Sequence, residues 1–531
     1  MNDTVTIRLN KGRLLENLRF AFSNRYTVVS ELMQNARRAG ATCVVLDYER
    51  KAKRLTVRDD GCGIASFQTL FTLGESGWSE ALARTEHPFG LGFVQALYSA
   101  GRCTVESRGL RARFDTRAAL AGAAVAVERG GSAHETVVTL EDIELPEMDR
   151  RIVRLARGFP IAVQYNGVAL RRPHSPDVLP YARTAIGKVY LAGWEGGQAT
   201  RESAVYLQGL RVNGPDPMDA ACNVVHLDSE RFRARLPDRD RLIDQDEQLA
   251  RVEKVLKALW RERLAAVGRA VQPDAFTARF FQAARVWGHV DVFNDMPVVP
   301  EGFLRRVVGY PRRDPYGEQT WLTPFRRAVS RADLESGRIR LACLAELGER
   351  NLAQWLYARE RAYFVVDEWA LDAGHWVNRC VRRLEEEPAS IEAVNPGAGT
   401  SFEGRRIKVS VRLCEAVAIR VGDDAVVIRE DGVFCPGSNT ILVPEGEQSG
   451  QAVRQASSYV DERNHWQEED EQADAAALGE AIALLRSTNP AGALLRLLAE
   501  AKPERYPSLR GRRFTVELGA THEEHRVASE A

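Results

Sequence analysis

Glu31 and Asn35 lie four residues apart in the stretch SELMQNARRAG (residues 30–40), so on a helix both side chains leave the same face. Leu32, Ala36 and Ala39 are their neighbours and mark that face as the buried one. A carboxylate and an amide turned inward cost free energy unless polar groups meet them there. Two further stretches have chemistry to offer. RDDGCGI puts Asp59 at the end of a strand-like run, followed by Asp60, Gly61, Cys62 and Gly63. An acid followed by two glycines makes a tight turn that a ligand can approach closely. PFGLGF places Gly90 and Gly92 directly ahead of a helix. The first N–H groups of that helix have no intrahelical partners and sit at its positive end, so the turn is an anion site. A lone G-x-G is weak; its meaning comes from following a helix with inward Glu and Asn and an acid-glycine turn.

Other phosphate-binding patterns are missing. There is no GxxxxGK[ST], and no G-x-G-x-x-G opens a helix after a first strand, which disfavours a P-loop NTPase and a Rossmann site. The eight cysteines form no C-x-x-C pair and read as reduced, buried thiols of a cytosolic protein. His522 and His525 sit in a polar tail and read as solvated. Lys plus Arg and Asp plus Glu are 73 each, so overall charge does not hold the chain on nucleic acid or membrane. The arginines of LRRVVGYPRRDP (Arg305, Arg306, Arg312, Arg313) read as a solvated surface. The first residues have no apolar signal-peptide core, and no run of about 18 apolar residues exists. The expectation is a cytoplasmic protein with no membrane association.

The elements that must position these residues follow from periodicity. Residues 12–40 have a helical pattern with Gly40 as its C-terminal stop. CVVLDYE and RLTVRDD are strands joined at RKAK, and VQALYSAG is a helix. The strands RCTVESRG and ETVVTLED follow, then the helix MDRRIVRLARGF and a strand with an Asn-Gly turn, IAVQYNGVAL. The fold class expected is α/β. Residues 1–175 form an α/β layer arrangement and 176–272 a second α/β domain closed by a charged amphipathic helix. Residues 273–395 read as mainly helical, with Trp287, Trp355, Trp369 and Trp376 as packing residues. NPGAGTSFEG reads as a linker, and 396–531 as strand-rich, then helical.

ELMQNA, DDGCG and FGLGF, in this order and spacing, resemble the GHKL superfamily of ATPases (gyrase, heat-shock chaperone, histidine kinase, MutL) with the Bergerat fold, a two-layer α/β sandwich. The N-terminal domain of the heat-shock protein 90 family looks most similar, because Ser23 and Asn24 stand eight and seven residues ahead of Glu31 and LARGFPIAVQY resembles its closing strand. The likeness covers residues 12–172. It implies ATP and Mg²⁺ as ligands. Asn35 would coordinate Mg²⁺, and Glu31 would be the general base. Asp59 would accept from the adenine amino group, Gly63 would let the backbone approach the base, and Ile64 and Leu73 would line its faces. Gly90, Leu91, Gly92 and Phe93 would present N–H groups to the phosphates, and Thr136 would meet the base through a water. Two positions depart from the family: Glu135 replaces a glycine before Thr136, and Arg38 replaces an aspartate three residues after Asn35.

Histidine kinases of the superfamily usually lack the glutamate, and no phosphoacceptor helix is expected in the dozen residues ahead of this region, so hydrolysis is the stronger reading. Hydrolases of the superfamily take a cation from the next, transducer-like domain. RLPDRDRLIDQD resembles the segment that supplies it, which makes Arg239 the second catalytic residue, with Arg241 its competitor. Two functions follow from the resemblance. The first is an ATP-driven, dimerising clamp of chaperone type, with client or partner proteins. The alternative is a nucleotide-gated module of a DNA-associated system like MutL or MORC proteins; the charge balance speaks against extensive nucleic-acid contact.

Overall fold

The computed structural model describes residues 6, 10–18, 20, 24–74, 77–86, 90, 92–215, 221–236, 238–300, 302–366, 371–445 and 449–530. They form two compact units, Met1–Phe293 and Asn294–Ala531.

In the first unit, α1 (Lys11–Leu18) precedes α2 (Thr27–Arg38). Val28, Val29, Met33 and Ala36 of α2 have no exposed surface, as the helical spacing of its apolar residues requires. Gly40 stops the helix in the left-handed conformation (φ +74). Its N–H and that of Ala41 then reach back to the carbonyls of Arg37 and Ala36 at 3.0 and 3.1 Å. Next come β1 (Cys43–Glu49) and β2 (Arg54–Asp59), paired antiparallel across the turn at 50–53. Three helices follow, α3 (Phe67–Leu70), α4 (Glu80–Glu86) and α5 (Gly92–Ser99). Then β3 (Arg102–Ser107), β4 (Leu110–Asp115), α6 (Thr116–Leu120), β5 (Val127–Arg129) and β6 (Thr136–Glu141) add strands on one side. The helix α7 (Met148–Ala156) leads to β7 (Ala162–Tyr165) and β8 (Val168–Ala169). The sheet order is β5-β4-β3-β6-β2-β1-β7-β8, and only β1 and β7 run parallel. Buried and part-exposed residues alternate along β1, β3 and β6, so one face of the sheet carries the core. Residues of α2, α5 and α7 complete that core, which makes a two-layer sandwich. The pieces from 110 to 129 go beyond the strands expected from sequence. LRARFD carries arginines at alternate positions and buries only Ala112 fully, so its apolar signal is weak.

A second sheet of the same unit has the order β12-β11-β13-β10-β9, from β9 (Ala182–Thr184), β10 (Gly187–Tyr190), β11 (Ser203–Leu207), β12 (Leu210–Asn213) and β13 (Asn223–Leu227). It is followed by α8 (Gln245–Gly268) and α9 (Pro273–Trp287), which pack together. Trp260 and Trp287 are stacked with ring centroids 6.4 Å apart, so the chain stays in this unit beyond residue 272.

The second unit differs from the mainly helical expectation for 273–395. Past Phe293 it builds a five-stranded sheet from segments between Leu304 and Arg383, with α10 (Arg331–Glu335) and α11 (Leu352–Glu360) as its α-helices up to residue 395 among the described residues. Trp321, Trp355 and Trp376 are buried, but burial of tryptophan carries no period, and runs such as YFVV are strands. Trp369 lies outside the described residues. The expected linker at 395–404 lies almost wholly within a strand, Ala389–Glu403, paired with Lys408–Val421. A register shift between Pro396 and Gly399 absorbs the proline and the glycines that read as a linker. Leu478 and Ile482 of the helix Glu468–Leu485 seal the same core. No helix among the described residues is long and apolar enough to cross a membrane.

Candidate functional site

The inward face of α2 opens on a cavity of about 520 Å³ in the first unit, a volume in the range of small-ligand sites. Glu31 and Asn35 line it from α2, Asp59 from the end of β2, Thr136 from the start of β6, and Gly90 and Gly92 from the start of α5. Gly63, Ile64 and Phe93 also line it. Leu73 does not: α3 ends at Leu70, and Leu73 sits past that end with 38% of its surface exposed. Leu70 and Leu82 supply the aliphatic wall instead. Leu91 and Ser23 lie outside the described residues.

Close approach of backbone explains the glycines. A Cβ on Gly92 would lie 2.5 Å from Glu31 Oε2, so the start of α5 rests against that carboxylate. A Cβ on Gly61 would lie 2.6 Å from the Ala39 Cβ. Gly63 adopts φ +77, with Ser107 Oγ and Arg108 against it. Asp59 Oδ1 accepts from the Gly61 N–H at 3.0 Å. Burial raises the Asp59 pKa, and the nearby charges of Asp60 and Glu135 add to this against the Gly61 hydrogen bond. Asp60 instead accepts from the N–H groups of Thr42 and Cys43 at 2.7 and 3.0 Å and holds the turn. Ser107 Oγ lies 3.2 Å from Thr136 Oγ1 and accepts from the Ile64 N–H at 3.0 Å. These two hydroxyls tie the floor of the cavity to the glycine turn.

Arg239 reaches the cavity from the loop between β13 and α8. An isolated bridge, Ala234 with Leu242, and the bond from Arg235 N–H to the Arg241 carbonyl (2.8 Å) tighten this loop. Arg239 sits at its tip with φ +54. Its Nε lies 2.9 Å from Glu31 Oε1, and its Nη1 donates to Gln208 Oε1 at 3.2 Å. Thr27 Oγ1 of α2 donates to the neighbouring Asp238 at 2.7 Å. Arg241 is exposed and does not line the cavity.

Sequence reasoning missed several members of the site. Arg38 lines the cavity with only 2% of its side chain exposed. Its Nε pairs with Glu86 at 3.0 Å, its Nη1 donates to Asn35 Oδ1 at 3.4 Å, and Glu31 Oε2 is 3.9 Å away. Its Nη2 is buried with no hydrogen-bond partner among the described residues. Burial lowers the Arg38 pKa, helped by the charge of Arg239 and opposed by Glu31 and Glu86. Burial would raise the Glu86 pKa, but the bonds and charge of Arg37, then of Arg38, outweigh it and lower it. Trp78, between α3 and α4, lines the cavity, as does Arg108, which donates to the Cys62 carbonyl. Their signal is tertiary and has no local spacing. None of the eight cysteines is in a disulfide; Cys103, Cys222, Cys343 and Cys414 are buried as expected, but Cys43, Cys380 and Cys435 are half-buried and Cys62 is exposed.

Whether this donor set suits a divalent cation depends on oxygen. Among the described residues no group of three or more His, Cys, Asp or Glu is placed to hold a metal. A magnesium ion carried on phosphates needs only one or two protein oxygens, and Asn35 Oδ1 in the cavity fits that need.

No family model matches the chain. Comparison with curated proteins supports the GHKL ATPase superfamily. The relatives that carry this are MutL proteins, each described as a DNA mismatch repair protein. The chain is 27% identical over 260 residues to MutL of Erwinia tasmaniensis, covering 40% of this chain and 42% of that one. It is 32% identical over 126 residues to MutL of Escherichia coli (strain K12 / DH10B) and of Shigella boydii serotype 18, covering 22% of this chain and 20% of each relative. The chain thus matches 42% or less of the length of these relatives. These relatives do not show the finer heat-shock protein 90 likeness, which is drawn from the short motifs.

Proposed function

We propose that the first unit binds and hydrolyses ATP and that the chain is a nucleotide-gated module of a DNA-associated system. The observation that carries this is the pairing of Glu31 with Arg239 inside a cavity also lined by Asn35, Asp59 and two glycine turns. Asp59 Oδ1 is engaged by the backbone of Gly61, which leaves its other oxygen to accept from the exocyclic amine of adenine. Guanine presents an acceptor there and is disfavoured. Gly90 and Gly92 let backbone N–H groups approach the phosphates. Glu31 takes the proton of the attacking water, and Arg239 meets the charge that grows on the terminal phosphate. The two roles compete at 2.9 Å, so a bound phosphate draws Arg239 off Glu31 and frees the carboxylate. Asn35 would hold Mg²⁺, which when bound neutralises phosphate charge. The MutL similarity favours a DNA-associated role over a chaperone clamp and brings nucleic acid back as a partner to test; a second copy of the chain remains what the motif resemblance implies.

Calorimetry and phosphate release on the full chain test this reading. Mg-ATP should bind, GTP should bind far less tightly, and slow phosphate release should follow. No binding heat with a folded protein at about millimolar ATP, a concentration that reveals interactions of roughly −4 kcal/mol, would sink it. DNA added with a non-hydrolysable ATP analogue should be retained more strongly than without nucleotide.

A further inference from the structure

Two buried arginines of the site, Arg38 and Arg239, each carry a nitrogen with no hydrogen-bond partner among the described residues, and Arg38 is the one that also holds the amide of Asn35. Arg239 has an acid against its Nε and a partner for Nη1. Arg38 spends Nε on Glu86 and Nη1 on Asn35, and its Nη2 has no hydrogen-bond partner although it is buried. A buried guanidinium N–H left unpaired is costly, so a ligand acceptor that met it would bind more tightly for doing so. The acceptors that suit a guanidinium are carboxylate and phosphate oxygens. Arg38 also stands on the amide oxygen of Asn35, the oxygen a divalent cation would need. A fixed positive charge there does part of what such a cation does, while the second lone pair of that oxygen stays open to one.

We propose that Arg38 is a phosphate-binding residue that lets this chain hold a nucleoside triphosphate with little dependence on a divalent cation. The inference rests on the ATP-binding reading above. Neighbouring charges suit it: Arg239 adds a second cation, and Glu31 and Glu86 are the carboxylates that balance the two arginines before a phosphate arrives. Glu86 also fixes the guanidinium from α4, and Arg37 grips the same carboxylate at 2.7 Å through Nη1, so Arg38 is oriented before a ligand arrives.

The test is the affinity of the full chain for ATP in magnesium and in EDTA. The wild-type protein should bind ATP in EDTA within about tenfold of its affinity in magnesium. Arg38→Gln should lose about ten- to a hundredfold in EDTA, the span expected for one charge-assisted hydrogen bond, and less in magnesium. Arg38→Lys should restore part of the EDTA affinity, because it keeps the charge without the fork. Tight binding in magnesium with a loss beyond a hundredfold in EDTA for the wild type would overturn the inference and leave the ATP reading intact. An unchanged magnesium-to-EDTA ratio in folded Arg38→Gln would also overturn it and make Arg38 a structural residue. No binding in either condition would remove both. The wild-type comparison needs no variant to fold.

Discussion

Both units bury carboxylates, and Glu31 and Asp474 are used differently. Glu31 in the first unit is 6% exposed and Asp474 in the second is 1% exposed. Asp474 accepts from the N–H groups of Arg405 and Arg406, the latter at 3.0 Å, and from the hydroxyl of Tyr459 at 2.9 Å. A Cβ on Gly404 would lie 2.4 Å from its Oδ1, so backbone closes over it. Every feature of Asp474 ties a loop to a helix. Glu31 has arginines on two sides, a glycine against a third and a cavity in front. Burial alone therefore says little about purpose. An acid serves structure when fixed donors use up its oxygens, and serves chemistry when its partners are cations beside open space.

The contrast is sharpest if the two acids are exchanged as targets. Glu31→Ala should leave ATP binding in place and lower turnover by roughly 10²–10⁴-fold, the usual cost of losing a general base. Phosphate release at the parental rate would remove Glu31 from the chemistry. Arg239→Ala should lower turnover by about 10²–10³-fold with a small change in affinity, with Arg241→Ala as the mild control expected from its exposed position. If Arg241 were the sensitive one, the cavity in its described form would not be the working one. Asp474→Ala should do the reverse of Glu31→Ala. It leaves three donors unmet and should cost on the order of 3 kcal/mol in denaturant unfolding of the second unit while leaving ATP affinity unchanged.

Smaller effects refine the same comparison. Asp59→Asn should weaken ATP binding by roughly 1–3 kcal/mol, and calorimetry would read this as a shift in Kd with little change in kcat. The second sheet of the first unit supplies a pH signature that owes nothing to the cavity. Burial lowers the pKa of both His174 and His226 from 6.5 to about 4. For His174 the charge of Arg157 adds to this; for His226, whose Nε2 lies 2.6 Å from the His174 carbonyl, that hydrogen bond opposes it. Both are neutral in the fold and take up protons on unfolding, so their contribution is complete above pH 6.5 and falls as the pH drops toward 4. Thermal unfolding of the first unit should lose on the order of 1 kcal/mol between pH 7 and 5.5, and His226→Gln should flatten that slope.

How much of this the sequence revealed depends on how local the signal is. The helix α2, the β1–β2 hairpin and both glycine turns are each written within about ten residues, where period and turn chemistry decide the conformation. Their meeting around one cavity is implied only by the family resemblance that their order carries. Arg38 stands out in the sequence only as a departure from the family's aspartate, and only the fold brings Glu86 and Arg239 to it. The same holds for Trp78 and Arg108. In the second unit, Pro396 and its glycines resemble a linker because local composition cannot reveal a strand partner a dozen or more residues later. The tryptophans there gave burial without a period, which left helix and strand undecided.

Trp78 has one more consequence. It is one of nine tryptophans, and it is a half-buried indole on the wall of the cavity. An indole in that place senses polarity, so filling the cavity should change the emission of the unlabelled protein. The chain carries its own optical gauge of occupancy. Titrating ATP should shift tryptophan fluorescence in a saturable way, and Trp78→Phe should abolish the change while the other eight indoles continue to emit.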